Sequence, residues 1–130
     1  MFTFIDSIED LAYLNEELSQ KSYLGVDTEF RRTTKDNMRL ALLQVNDGDE
    51  TYLIDTILIE DPGCNADFLF SPSVIKIFHS CKEDLEAVFS WTKKEMVNIF
   101  DTQIANSLLG GDFSIGYQGL VEQEIDIVLY

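Results

Sequence analysis

Three stretches of strand character follow one another with no helix between them: Tyr23–Phe30 (YLGVDTEF), Met38–Val45 (MRLALLQV) and Glu50–Asp55 (ETYLID). The NDGD turn at Asn46–Asp49 joins the second and third as a hairpin, since Asn, Asp and Gly accept the backbone angles of a tight reversal. Beyond Asp61, Pro62 and Gly63, which break the chain, the pattern changes to alternation. Ser73–His79 (SVIKIFH) reads as a fourth strand, Cys81 to about Thr92 as a helix, and Val97–Phe100 as a short fifth strand. Asp101 then caps a helix running to Leu109, which Gly110 and Gly111 stop, and a last helix covers Tyr117–Glu124. At the other end, Ile5–Ser19 reads as the opening helix, with Asp6 or Ser7 as its cap, Glu9 and Asp10 in its first turn, and Ile8, Leu11, Leu14 and Leu18 at helical spacing. Strands in succession followed by strands alternating with helices predict an α/β fold. Its mixed sheet has about five strands, the first three antiparallel, and is flanked by helices.

No repeat, linker or low-complexity tract divides the 130 residues, so the chain is expected to form one domain over 1–130. Its formal charge of −15, from 24 acidic and 9 basic residues, argues against bulk electrostatic attraction to nucleic acid. A hydrophobic share of 45% argues equally against a disordered acidic tail. The charge is unevenly spread. Lys21 to Val45 holds Lys21, Arg31, Arg32, Lys35 and Arg39 against Asp27, Glu29 and Asp36, whereas Asn46 to Pro72 holds seven acids and no base. A polyanion would therefore meet the chain near residues 31–39; the alternative is a solvated loop. No apolar run approaches the ~20 residues of a membrane span. The N-terminus lacks the basic start, apolar stretch and cleavage site of a secretory signal. Cys64 and Cys81 lack metal-ligand spacing, so they are read as reduced thiols of a cytoplasmic protein.

Two acidic positions break the apolar pattern. In YLGVDTEF, alternation points Asp27 and Glu29 the same way, roughly 6.5 to 7 Å apart. Like charges at the end of an apolar strand either emerge into solvent or share a cation, and hard divalent cations prefer carboxylate oxygens. The second position is Asp84, three residues after Cys81 and four before Val88, on the border of the apolar stripe Cys81, Leu85, Val88 and Phe89. Lys82, Glu83 and Glu86 already fill the solvent side, so Asp84 either bends outward or aims at the sheet, where it needs a partner.

Taken together, DTEF at Asp27–Phe30, HSCKEDLEAV at His79–Val88 and FDTQIA at Phe100–Ala105 resemble the first two motif blocks of ribonuclease D and its relatives. Those proteins form part of the DEDD superfamily of 3′–5′ exonucleases, which have a ribonuclease H-like fold. Order and separation match, and the resemblance covers essentially the whole chain. It implies that Asp27, Glu29 and Asp84 are catalytic, metal-binding carboxylates, that Thr28 and Phe30 contact the terminal nucleotide, and that single-stranded RNA 3′ ends are the substrate. It also implies two Mg²⁺ or Mn²⁺ ions. Phosphodiester hydrolysis needs an oxygen nucleophile at neutral pH and neutralisation of charge on the phosphorus oxygens, and two ions about 3.5 to 4 Å apart supply both. An acidic protein could then meet RNA through its metals.

The family's fourth carboxylate, in a Tyr-x-x-x-Asp or His-x-x-x-Asp setting on a later helix, has no counterpart here. Tyr23 and Asp27 have that spacing by coincidence, on the first strand, and Glu122, Glu124 and Asp126 read as a solvated face. The expectation is a domain incomplete at its C-terminus, with an incomplete metal site and little or no exonuclease activity, which self-associates through surface that absent helices would cover. The alternatives are a catalytically silent module that binds RNA or a protein partner, and a metal-binding or interaction protein in which the acids serve solubility. His79 is expected to hydrogen-bond a turn rather than act as a base, and Phe89 and Trp91 to be core.

Overall fold

The computed structural model describes residues 1–127. A strand opens the chain, β1 (Phe2–Ile5), followed by α1 (Ile8–Leu18), β2 (Tyr23–Thr34), β3 (Asn37–Asn46) and β4 (Thr51–Asp55). After a 3₁₀ turn at Asp67–Leu69 come β5 (Ile75–Phe78), α2 (Lys82–Thr92), β6 (Ile99–Asp101), α3 (Thr102–Leu108) and α4 (Tyr117–Ile125). The sheet order is β1-β4-β3-β2-β5-β6, with β2, β3 and β4 antiparallel and β1, β5 and β6 joining in parallel. The expected meander and the alternating second half are both present.

The sheet has six strands rather than about five. Ile5 was expected to open the first helix, yet Phe2–Ile5 pairs in parallel with Thr51–Ile54 at the sheet edge. Four residues are too few to display a period, and the helix signal beginning at Ser7 masks them. Ser7 is the cap, its hydroxyl accepting from the Asp10 N–H. β2 and β3 run further than expected, to Thr34 and back from Asn37, as a two-stranded arm. The fifth expected strand starts two residues late, because Asn98 takes a left-handed backbone (φ 57°).

One face of the sheet carries the core. α1 lays Leu11, Leu14 and Leu18 on it, the 3₁₀ turn adds Phe68 and Leu69, and β2–β4 supply Leu24, Val26, Leu40, Leu43, Val45 and Ile54. α2 buries Asp84, Ala87, Val88 and Trp91, at i, i+3, i+4 and i+7. The Trp91 indole N–H donates to the Ile59 carbonyl at 2.7 Å. Phe89 is not core: it is 46% exposed, since the stripe is rotated toward Ala87 and Trp91. After α3, Gly110 turns the chain with φ 89°, and Gly111 passes so close to Asn106 that a Cβ there would lie 2.5 Å from its amide nitrogen.

Lys76 on β5 is fully buried on the core side, where its ammonium donates to the Ser71 carbonyl at 2.8 Å and the Val74 carbonyl at 2.6 Å. Burial pulls its pKa down to about 8 from an ordinary 10.5. The folded state therefore releases this proton before the unfolded chain does, and stability should rise as pH climbs from about 8 toward 10.5. Lys76→Met should abolish that rise. Urea midpoints of both proteins measured at the two ends of this window test it, with the difference between the two proteins cancelling every other titrating group.

Candidate active site

β2 is the central carrier. Its alternation sends Leu24, Val26 and Thr28 to the packed face and Gly25, Asp27 and Glu29 to the open one, as the burial of the first set and the exposure of Asp27 and Glu29 show. The two carboxylates stand side by side on that open face. The Asp27 Oδ1 accepts from the Thr28 N–H at 2.9 Å, which fixes its orientation. A cleft of about 440 Å³ adjoins Asp27, lined by Gly25, Gln44, Asn46, His79 and Tyr117 among others.

Asp84 approaches from the packed face. It is 8% exposed, and its carboxylate accepts a short hydrogen bond from the Thr28 hydroxyl, the residue between the two exposed acids. Asp84 thus aims at the sheet and has the partner that its position demands. Its pKa stands at about 6: burial raises it most, the Thr28 hydroxyl pulls it back, and the charges of Asp27, Asp101 and Glu83 raise it further.

The charge of Asp27 reaches Asp84 and raises its pKa. Among the described residues, no three His, Cys, Asp or Glu side chains group closely enough to hold one ion. Asp27 and Glu29 leave on one face, and Asp84 meets Thr28 on the other. Thr28, expected at the terminal nucleotide, is buried at 7% exposure with its hydroxyl turned to Asp84. Phe30 is half-buried and packs against the core.

Asp101 caps α3 as expected, accepting from the Gln103 N–H at 2.9 Å. It also does what no local signal announces, accepting from the N–H groups of Ser80 at 2.9 Å and Cys81 at 2.8 Å. These are the two residues that lead into α2, and Ser80 is held there at φ 58°. Burial works against the Asp101 charge, but the N–H groups of Cys81, Ser80 and Gln103 outweigh it and hold the carboxyl below the usual range. Asp101 therefore sets where α2 starts, and with it where Asp84 stands. His79 has both ring nitrogens engaged, with the Thr102 hydroxyl and the Ile115 carbonyl each at 2.8 Å, so it ties the segment before α4 to the end of β5. Cys64 and Cys81 are both free thiols; the first is exposed, and burial pushes the second up to about 11.

The sequence model of a 3′–5′ exonuclease family matches residues 2–130. The chain belongs to that family. It is 41% identical over 119 residues to a ribonuclease D of Pseudomonas paraeruginosa, a match spanning 92% of this chain and 32% of that protein. Its fold superposes on the crystal structure of Escherichia coli RNase D, described as an exoribonuclease involved in structured RNA processing, with a TM-score of 0.91 and 31% identity, covering all of this chain and 35% of that one. The fold also matches Brucella melitensis NrnC with bound Mg²⁺, at a TM-score of 0.79 and 22% identity, over 99% of this chain and 63% of that one. The chain spans about a third of the length of the ribonuclease D relatives it matches. The ribonuclease H-like α/β class expected of the sequence is the class observed.

Thr28→Val keeps the branched shape and removes only the hydroxyl. Because that hydroxyl favours the ionised form, the Asp84 pKa should move above its present value of about 6 in Thr28→Val and stay near it in Thr28→Ser. The carboxyl carbon resonance of Asp84, followed against pH, reads the shift directly.

Proposed function

We propose that this chain carries part of a ribonuclease D-type site that hydrolyses single-stranded RNA from its 3′ end. The observation supporting it is the pair Asp27 and Glu29, exposed side by side at the middle of the central strand, in a chain of the 3′–5′ exonuclease family. The donor set suits a hard cation. Mg²⁺ is held through one or two carboxylates, with waters and phosphate oxygens filling the rest of its shell, and Mn²⁺ accepts the same oxygens. When bound, such ions supply a nucleophile at neutral pH and neutralise the reacting phosphate. The Mg²⁺ named for the Brucella melitensis relative agrees with this choice.

Each residue then has a role it can perform. Asp27 and Glu29 hold the cations and the catalytic charge. Asp84, the third metal-binding and catalytic carboxylate of the reading, is within reach of the Asp27 charge and holds the strand through Thr28. Phe30 offers the exposed part of its ring as a nucleotide contact, and Thr28 contributes through its bond to Asp84. The lack of a third grouped donor among the described residues supports weak or absent turnover for this chain by itself. A catalytically silent module that binds nucleic acid is the second reading, favoured by that same gap. The open face also exposes Phe2 at 70% and Phe4 at 54%, which supports self-association of the chain.

Calorimetric titration with Mn²⁺ should show binding that Asp27→Asn weakens by more than about a hundredfold, beyond what loss of an outer-shell partner costs. Binding unaffected by Asp27→Asn would remove the metal from this strand. A 5′-labelled single-stranded RNA should be shortened from its 3′ end slowly or not at all by the chain, and any shortening should vanish in Asp27→Asn. Light scattering should report a mass above that of one chain as concentration rises; a constant monomer mass would dispose of the self-association.

A further inference from the structure

The open-face row of β2 does not end at Glu29. Two residues on, the strand presents Arg31, and the pairing Arg31↔Arg39 sets Arg39 of β3 directly across from it. The register irregularity here leaves Ala41 of β3 unmatched between Glu29↔Leu42 and Phe30↔Leu40, so the alternation of β2 itself is unbroken. Asp27, Glu29 and Arg31 thus form one row, with successive members about 6.5 to 7 Å apart.

Lys35 and Lys82 are exposed bases too, but only these two arginines face each other across a ladder. Both are exposed, and among the described residues neither is in a hydrogen bond or an ion pair, while the acids outnumber the bases 24 to 9. Facing pairs of side chains on an antiparallel ladder have Cβ atoms only about 4.5 to 5.5 Å apart, and like charges there destabilise the pairing. The arrangement costs the fold something that an anion would repay. The arm is also accessible and held in place. β5 pairs only with Tyr23–Gly25 of β2, and β4 only with Leu42–Asn46 of β3, so no third strand flanks the arginines. Arg32, on the other face, pegs the arm to α2 through Glu86 at 2.8 Å. The groove on that other side has no such bias, since Arg32, Lys35 and Lys93 are balanced there by Asp36, Glu86 and Glu95.

We propose that Arg31 and Arg39 form a phosphate clamp that holds the backbone of a single-stranded nucleic acid one step along the row from Asp27 and Glu29. The clamp rests on the nuclease reading for which end of the strand lies at the carboxylates. Guanidinium groups bind phosphate through two parallel N–H donors, and such contacts fix position without reading sequence. The clamp gives an acidic chain a grip on a polyanion that does not pass through metal.

The test is fluorescence anisotropy of the 130-residue chain with a fluorescein-labelled oligouridylate, in EDTA, over a salt series. Arg31→Gln/Arg39→Gln should weaken binding at least about tenfold and lower the salt slope by about 1.4, at ~0.7 per phosphate contact on a single strand. Lys93→Gln/Lys94→Gln, an equal change of charge beyond α2, should weaken it less than about threefold, within the general electrostatic term. Arg31→Lys/Arg39→Lys should recover part of the loss. The thermal midpoint of the arginine double variant should not fall, because a repulsion has been removed. No binding by the parent chain, unchanged binding by the arginine variant, or equal loss in the lysine control would each overturn the clamp. If it is overturned while Mn²⁺ binding still depends on Asp27, the nuclease reading stands alone. If binding depends on the arginines and no Mn²⁺ binds, the clamp survives and the catalytic reading does not.

Discussion

The hydrogen bond from the Thr28 hydroxyl to the Asp84 carboxylate joins the central strand to the helix that covers it. Asp84 occupies a position that the α2 stripe would otherwise fill with an apolar side chain, in line with Ala87, Val88 and Trp91. A carboxylate buried without a partner would cost several kcal/mol and push α2 away from the sheet. With Thr28 beneath it, the helix can settle, and Trp91 one end further along can reach the Ile59 carbonyl. The same bond fixes the backbone between Asp27 and Glu29, so the two exposed acids inherit their position from a contact on the other face.

Electrostatics divide along the same strand. Burial beside Thr28 raises the pKa of Asp84 most, and the charges of Asp27, Asp101 and Glu83 raise it further. Two opposing forces act on Asp101, and there the backbone N–H donors win over burial, so it remains a charged staple between the start of α2 and the start of α3. One carboxyl is thus raised and its neighbour lowered within the same few residues of the fold. The difference is the number of N–H donors each receives, which is the ordinary way that proteins separate the behaviour of similar groups.

Much of this was legible in the sequence. The meander, the helix caps at Ser7 and Asp101, and the face shared by Asp27 and Glu29 follow from periods of two and 3.6 and from short polar caps, which are local signals. What escaped was either too short or too distant. Phe2–Ile5 holds no full pattern, and only the far-off β4 makes it a strand. The stripe on α2 was placed one position off, because Phe89 is apolar enough to be counted as core while Ala87 is small enough to be overlooked. The contact between residues 28 and 84 has no trace in either segment: Thr28 reads as one more β-branched strand residue until α2 is laid over it. That Asp84 belongs with Asp27 and Glu29 was legible only through the family resemblance, whereas the period of two puts Asp27 and Glu29 on one face by itself.

A strand that alternates can hold two programmes at once, and β2 does. Its inward row, Leu24, Val26, Thr28, Phe30 and Arg32, passes from core packing to a buried polar tie and then to an ion pair with α2. Its outward row, Asp27, Glu29 and Arg31, carries only groups that fit no core. Every inward contact tightens the geometry of an outward neighbour, because consecutive residues share the same rigid peptide planes. The extension of β2 beyond its flanking strands follows from this arrangement. An arm with no third strand beside it would fray if its inward face were also free, and Arg32 bonded to Glu86 supplies the anchor. The outward charges can then be held at fixed spacing on a surface open to solvent, which is the condition for binding a ligand whose own charges repeat along a chain.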